Sequence, residues 1–304
     1  MKGSAPVLIT GATGFVGSAL TRKLLAQGHT DVRVLTPNVE NAMAKYGVHP
    51  HVRCFGNGQA SVEEALDGVD TFFNFAVVYD RPHIEQALID EVNVDMPLRV
   101  MKHLAAQRAG ARCVLGDTFF RKFAAAQSHQ RRYTVSKQRL LDQVNAIADD
   151  GRLQIAFLQI EHVYGPGEAF TKAIPQLTKQ IVENVPRVAL TSGRQCRDFI
   201  YVDDVASAAI VTGRADHGSA VKVVECGSGT EASIHDVMSQ IHAIASSQSV
   251  LGFGDIPGGM EVPGSRADTS WLTAQGWAPE TNLSTGLQSL VQDIITRTSD
   301  AQTP

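Results

Sequence analysis

Short apolar runs alternate with stretches of helical spacing through the first half of the chain. Val7–Ile9, Val32–Leu35, Val52–Phe55, Thr71–Phe75, Cys113–Leu115 and Ile155–Ile160 are too short for helices and read as buried strands. Between them, Phe15–Gln27, Val62–Leu66, His83–Arg108 and Arg132–Ala148 carry the apolar spacing of a helix with one buried face. Strand and helix in alternation predict a parallel sheet covered on both faces, joined by right-handed crossovers. After Gly165-Pro-Gly167 the pattern changes. Pro175, Pro186 and Gly193 interrupt it, and the stretch from Gly252 to Gly264 holds Pro257 and Pro263. A smaller, loop-rich lobe is expected there, and the polar tail from Thr296 is expected to fray.

Composition narrows the function classes. The 304 residues are 43% hydrophobic and 19% charged, enough to bury a sizeable core. With a net charge of -4 and no basic cluster interleaved with aromatics, no nucleic-acid partner is expected. No apolar run approaches the ~20 residues that span a bilayer. The N-terminus runs directly into a strand without a charged segment and a long apolar one, so no leader and no membrane partner are expected. Cys54, Cys113, Cys196 and Cys226 are far apart and lack CxxC spacing, which suits buried free thiols in a cytoplasmic protein. The ten histidines show no HExxH or clustered spacing, so no metal is expected.

The stretch Val7-Leu-Ile-Thr-Gly-Ala-Thr-Gly-Phe-Val-Gly17 places Gly11, Gly14 and Gly17 between the first strand and the first helix. One glycine permits backbone angles closed to other residues, a second lets the backbone approach a diphosphate, and a third lets helix and strand pack closely. The helix start adds unpaired N–H groups and a partial positive charge. Gly11, Gly14 and Gly17, with the backbone of Thr13, Phe15 and Val16, are therefore candidate dinucleotide contacts; a purely structural tight turn is the alternative.

A second element is Tyr133-Thr-Val-Ser-Lys137. Four residues are one helical turn, so the two side chains share a face. An ammonium beside a phenol favours the phenolate and lowers the phenol's pKa, giving a usable acid near neutral pH. An exposed tyrosine beside a solvated lysine is the alternative.

Glycine turn and Tyr-x-x-x-Lys pair together resemble the extended short-chain dehydrogenase/reductase (NAD-dependent epimerase/dehydratase) family. Asp70-Thr-Phe-Phe-Asn-Phe-Ala76 is similar to the family's fourth strand, whose end lies against the cofactor, and Asn93 matches its helix asparagine. Val163-Tyr-Gly-Pro-Gly167 resembles the turn that opens the substrate lobe; Arg197-Asp-Phe-Ile-Tyr-Val-Asp-Asp204 and Arg266-Ala-Asp-Thr-Ser resemble its later blocks. The resemblance implies an α/β fold, a Rossmann-type doubly wound parallel sheet with a smaller C-terminal substrate-binding lobe. The expected dinucleotide-binding domain is 1–164 plus about 197–226, and the lobe 165–196 and 227–304. The resemblance also implies Thr118, Tyr133 and Lys137 as catalytic residues. Implied cofactor contacts include Ala76, Asn93, Tyr133, Lys137, His162 and Val163, and implied substrate contacts are Thr118, Arg197 and Arg266. For His162 a packed loop residue is the alternative; for either arginine, a surface ion pair.

Departures from the family pattern refine the expected reaction. Leu35-Thr-Pro-Asn38 lacks the acid that commonly meets the adenine ribose, which favours NADP and leaves NAD possible; Arg33 lies within the strand and is read as pointing away. Phe119 and Phe120 follow Thr118 where 4,6-dehydratases place an Asp-Glu pair, and neither can transfer a proton. The blocks Asp117-Thr-Phe-Phe, Glu161–Glu168 and Arg197-Asp-Phe-Ile look closest to nucleotide-sugar 4-ketoreductases of the abequose/paratose synthase type. Reduction of a nucleotide-linked 4-keto-6-deoxyhexose is the expected activity. A 4-epimerase with tightly bound NAD and a non-catalytic nucleotide sensor are the alternatives. Arg131-Arg132 reads as a solvated helix start, and the helices His83–Arg108 and Arg132–Ala148 as the surface of a homodimer.

Overall fold

The computed structural model describes residues 5–123, 130–147, 152–217, 221–257 and 264–300. Ala148, Pro263 and both chain ends, on which parts of the expectations fall, lie outside the described residues. In chain order, β1 (Val7–Thr10), α1 (Phe15–Ala26), β2 (Val32–Leu35), α2 (Val39–Tyr46), β3 (Val52–Phe55), α3 (Gln59–Leu66) and β4 (Thr71–Asn74) alternate. There follow α4 (Gln86–Asp90), a π-helical turn (Glu91–Asp95), α5 (Met96–Gln107), β5 (Ala111–Thr118), a 3-10 turn (Phe119–Lys122), α6 (Arg131–Ile147) and β6 (Leu153–Ile160). Beyond them come β7 (His162–Tyr164), α7 (Ala173–Val182), β8 (Arg187–Leu190), β9 (Cys196–Tyr201), α8 (Val202–Arg214) and β10 (Lys222–Cys226). The chain continues through β11 (Glu231–Ser233), α9 (Ile234–Ile244), β12 (Val250–Phe253), α10 (Ser270–Ala274) and α11 (Leu283–Asp300).

The chain divides into two compact units. The first is Met1–Ile160, Val205–Glu225 and Ser270–Trp277; the second is Glu161–Asp204, Cys226–Thr269 and Ala278–Pro304. The block Arg197–Asp204 falls in the second unit rather than with the dinucleotide-binding part. The physical reason is that β9 pairs with β7 and β11 in a separate three-stranded sheet.

The first unit is built on a seven-stranded sheet of order β10-β6-β5-β4-β1-β2-β3. The five pairings from β3 to β6 are parallel, with Val7–Thr10 aligned on Thr71–Asn74 on one side and on Val32–Leu35 on the other. Parallel strands covered on both faces need apolar residues at successive positions, and Leu8, Ile9, Phe72, Val114 and Leu115 are all buried. Each contributes about 1.5–3 kcal/mol relative to exposure. Strand order reverses between β1 and β4, which is where doubly wound sheets open a crevice at their carboxyl ends.

The stretch read as one helix over 83–108 is helical without a break over 86–107, with a π-helical turn in its middle. The π-helical turn turns Asn93 and Val94 inward. Pro97 stands at the second position of α5, directly after the π-helical turn. The tail is not frayed through Asp300, because Leu287, Leu290, Val291, Ile294 and Thr298 line one buried face of α11. In the second unit, fully buried Asp198 accepts from Ser228 N and Oγ (both 2.7 Å), Gly229 N (3.0 Å) and Ala267 N (3.1 Å). All four cysteines are free; Cys113 and Cys226 are buried while Cys54 and Cys196 are partly exposed. Among the described residues no helix is long and apolar enough to cross a membrane.

Candidate active site

The glycine turn shows why each position is glycine. Gly11 has φ +72°, and a Cβ there would overlap Ala76 N and lie 2.5 Å from Phe75 O at the end of β4. A Cβ at Gly17 would overlap the Gly11 carbonyl oxygen and sit 2.7 Å from its carbon. The turn thus lies directly against the end of β4, at the strand-order reversal. α1 begins after Gly14 with no side-chain cap and no acidic residue in its first turn. The amides of Phe15, Val16 and Gly17 precede its first intrahelical bond, Ser18 N to Gly14 O at 2.9 Å. Nearby, fully buried Asn74 accepts from Thr10 Oγ1 at 2.6 Å, while its Nδ2 has no partner. An uncapped helix start behind a turn too tight for side chains fits the diphosphate of a dinucleotide.

Thr118, Tyr133 and Lys137 come together at the end of β5, all nearly inaccessible at 5%, 6% and 2% exposure. Lys137 Nζ donates to Gly116 O at 2.7 Å and lies 5.8 Å from the centre of the Tyr133 ring. The Thr118 hydroxyl hydrogen-bonds the Tyr133 phenol, and its Oγ1 accepts from Phe120 N at 3.3 Å. Burial holds the phenol well above its ordinary pKa, Tyr79 and Asp117 add to this, and the Thr118 hydrogen bond opposes it. Burial also pushes Lys137 down to about 8; Asp117 opposes that fall and Arg121 deepens it. The expectation of a lowered phenol pKa is therefore corrected, since desolvation outweighs the neighbouring lysine. A phenol that keeps its proton is a proton donor.

Several neighbours give no motif signal in the sequence. The Tyr79 ring lies 5.0 Å from that of Tyr133. Its loop is strapped at both ends. Asn93 Oδ1 accepts from Val78 N (2.8 Å), and Asn93 Nδ2 donates to Val78 O and Ser136 Oγ (both 2.9 Å). Arg132 Nε donates to Asp80 Oδ1 at 2.7 Å, Arg132 N to Asp80 Oδ2 at 3.0 Å, and Arg132 Nη1 to Ile84 O at 2.7 Å. Asn93, expected as a cofactor contact, is fully buried and spends its amide on this loop and on α6. Arg132 is likewise a clamp and not a solvated helix start.

At the end of β2, Arg33 points away as expected: its Nη1 donates to Glu64 O, Ala65 O and Asp67 O, and it pairs with Asp31. Asn38 caps α2 by accepting from Asn41 N at 2.9 Å. His162 and Val163 lie on β7 of the second unit, where the His162 ring is 5.8 Å from that of Phe199. Arg197 and Arg266 also belong to that unit. Their segments run side by side through Asp198 N to Ser265 O at 3.0 Å. Burial lowers Arg197's pKa while Cys196, Glu161 and Glu231 favour its charge; Arg266 is exposed.

Across 94% of this chain, CDP-abequose synthases of Salmonella typhimurium and Salmonella muenchen are 28% and 26% identical, over 97% and 96% of their own lengths. UDP-glucuronic acid 4-epimerase from Bacillus cereus, solved with UDP-glucuronic acid and NAD, superposes with a TM-score of 0.79 at 20% identity. That likeness covers 96% of this chain and 99% of the epimerase, and it concerns the fold. The model of the NAD dependent epimerase/dehydratase family matches residues 7–227, so the chain belongs to that family.

Proposed function

We propose that the protein is a nucleotide-sugar-modifying enzyme that reduces a nucleotide-linked 4-keto-6-deoxyhexose to the 4-hydroxy sugar. The observation that carries this is the buried Thr118–Tyr133–Lys137 cluster, whose phenol is held protonated beside an ammonium. The similarity to CDP-abequose synthases supports it, as do Phe119 and Phe120, which offer no acid–base pair for eliminating water.

Gly11, Gly14, Gly17 and the amides of Phe15 and Val16 would hold a reduced dinucleotide by its diphosphate, and that group would supply the hydride that the keto carbon gains. As the carbonyl oxygen gains charge, Tyr133 donates its phenolic proton to it, so the carbonyl gains one hydride and one proton. Thr118 holds that oxygen by a hydrogen bond. Lys137 stabilises the phenolate left behind and, from Gly116 O, is held in place to do so. Donors aimed at charge that grows in the transition state are each worth about 10²–10³ in rate. Arg197 and Arg266 would grip the diphosphate, since a guanidinium meets phosphate oxygens in pairs.

NADPH is the proposed donor, with NADH as the second choice. The end of β2 carries no acid to repel a 2′-phosphate. Lys45 Nζ reaches Thr13 O at 3.3 Å, so a cation lies beside the glycine turn. A cytoplasmic homodimer is part of the proposal, the latter testable by sedimentation at micromolar concentration.

The test is to offer CDP-, dTDP- and GDP-linked 4-keto-6-deoxyhexoses with NADPH and follow the reduced-nicotinamide band. Consumption matching the appearance of a 4-hydroxy sugar is expected. A 4-epimerase would instead purify with dinucleotide bound, interconvert 4-hydroxy sugars and leave the added NADPH unchanged.

A further inference from the structure

Behind the cluster lies an ion pair that the reaction described above does not use. The Asp117 side chain is wholly buried, and Arg121 grips both its oxygens: Nε to Oδ1 at 2.9 Å, Nε to Oδ2 at 2.8 Å, and Nη2 to Oδ2 at 2.6 Å. The Arg121 side chain is itself only 8% exposed. Its remaining arm, Nη1, donates at 3.0 Å to Oε1 of Gln138, the residue after Lys137 on α6. One guanidinium therefore ties the end of β5 to the helix that carries Tyr133 and Lys137. Asp117 stands between Gly116, which accepts from Lys137, and Thr118, which bonds Tyr133.

We propose that Asp117 and Arg121 act as one positioning unit, holding Thr118 in register with α6 and setting the charge balance around Lys137 and Tyr133. The proposal rests on the ketoreductase assignment for its catalytic meaning, but not for its test. The groups facing Lys137 are Asp117 on β5, Arg121 on the 3-10 turn and Tyr133 on its own helix; Tyr79 faces Tyr133 from the loop after β4. Two cations and one carboxylate share this interior. Removing the guanidinium leaves the carboxylate to act on Lys137 undiluted and strengthens the ammonium. Removing the carboxylate leaves two buried cations together and weakens it. An opposite or like charge within about 4–6 Å of a titrating group moves its titration by about one pH unit or more. A residue that merely supported the fold would not move it in opposite directions.

The test is titration of the Lys137 side chain by 15Nζ-detected NMR, the resonance assigned by its loss in Lys137→Arg. Arg121→Gln should raise the Lys137 midpoint by about one pH unit and Asp117→Asn should lower it by a similar amount. The double variant, with two neutral groups able to hydrogen-bond each other, should return it close to wild type. Circular dichroism and melting curves establish that each variant is folded; if Asp117→Asn does not fold, Arg121→Gln and the double variant decide. Midpoints that stay put, or that shift the same way in Arg121→Gln and Asp117→Asn, overturn the proposal. In parallel, the alkaline limb of turnover on a keto sugar should move with the midpoint. If no keto sugar is turned over by wild type, the ketoreductase assignment fails while the titration still judges the pair.

Discussion

Alanine at position 17 tests whether the glycine turn is the dinucleotide cradle. Its Cβ would sit 2.7 Å from the Gly11 carbonyl carbon and 3.0 Å from Ala12 Cα, and closer still to the Gly11 oxygen. Carbon atoms pack at about 3.5–4.0 Å, so the first turn of α1 must retreat by about 1 Å. Position 17 is helical, and alanine there gains about 1 kcal/mol of helix propensity over glycine. Overpacking costs about 1–3 kcal/mol, so the net loss of stability is small. Binding should suffer more. The retreat withdraws the amides of Phe15, Val16 and Gly17 from an anion, and charge-assisted hydrogen bonds are worth about 1.5–3 kcal/mol each. Losing two corresponds to a Kd raised about a hundredfold or more. Titration with NADPH by nicotinamide fluorescence, with a melting curve alongside, measures both. Gly58→Ala, outside the turn, is the control. Its Cβ meets nothing within 4 Å, and Gly58 has an ordinary φ of -65°, so its Kd should stay within about twofold of wild type. Gly17→Ala binding within about threefold of wild type, or no tighter binding in Gly58→Ala than in Gly17→Ala, would refute the cradle.

Tyr133→Phe should leave the NADPH Kd within about twofold and lower turnover about a thousandfold; near-normal turnover removes Tyr133 as proton donor. Lys137 falls from the ordinary 10.5 to about 8 in the fold, so between those values the unfolded chain binds the extra proton and stability rises with pH. The gain is worth up to about 3 kcal/mol, opposed above pH 10 by Tyr133. Denaturant midpoints at pH 7.5 and 9.5 should show the rise in wild type and its loss in Lys137→Met, and an unchanged difference between the two contradicts it. Because the ammonium is needed, turnover should fall as pH rises through about 8. Burial raises Glu168 from 4.5 to about 7, against a nearby Lys172, and its Oε2 has no partner. Here the folded state holds the extra proton, so stability falls as pH rises from 4.5 to 7. Glu168→Gln should flatten that slope, read as urea midpoints at pH 5 and 7.5; an unaltered slope would show that Glu168 titrates normally.

What could be read in the sequence was what depends on local pattern. β1, the glycine turn and α1 were legible because a buried strand, three glycines and an amphipathic helix each leave a short-range mark. The pair Tyr133–Lys137 was legible because one helical turn fixes which face both occupy. The π-helical turn was not, since the inserted residue serves Asn93's bonds to Val78 and Ser136, which are distant in sequence. Arg132 looked solvated for the same reason: its partner Asp80 is on another loop. The direction of the Tyr133 shift was missed because a pattern of residues reports neighbours but not depth of burial, and burial dominates here. The Asp117–Arg121 grip hides in a four-residue spacing that spans a strand end and a 3-10 turn, where helix spacing rules do not apply.

The most direct measurement follows a label. With NADPH carrying deuterium on the transferable face of its nicotinamide, and a nucleotide-linked 4-keto-6-deoxyhexose as acceptor, mass spectrometry and proton NMR read where the deuterium goes. One deuterium at C4 of the product, with one NADPH oxidised per sugar, is the predicted result. A product free of label, or label still on the nicotinamide after the sugar has been converted, contradicts it.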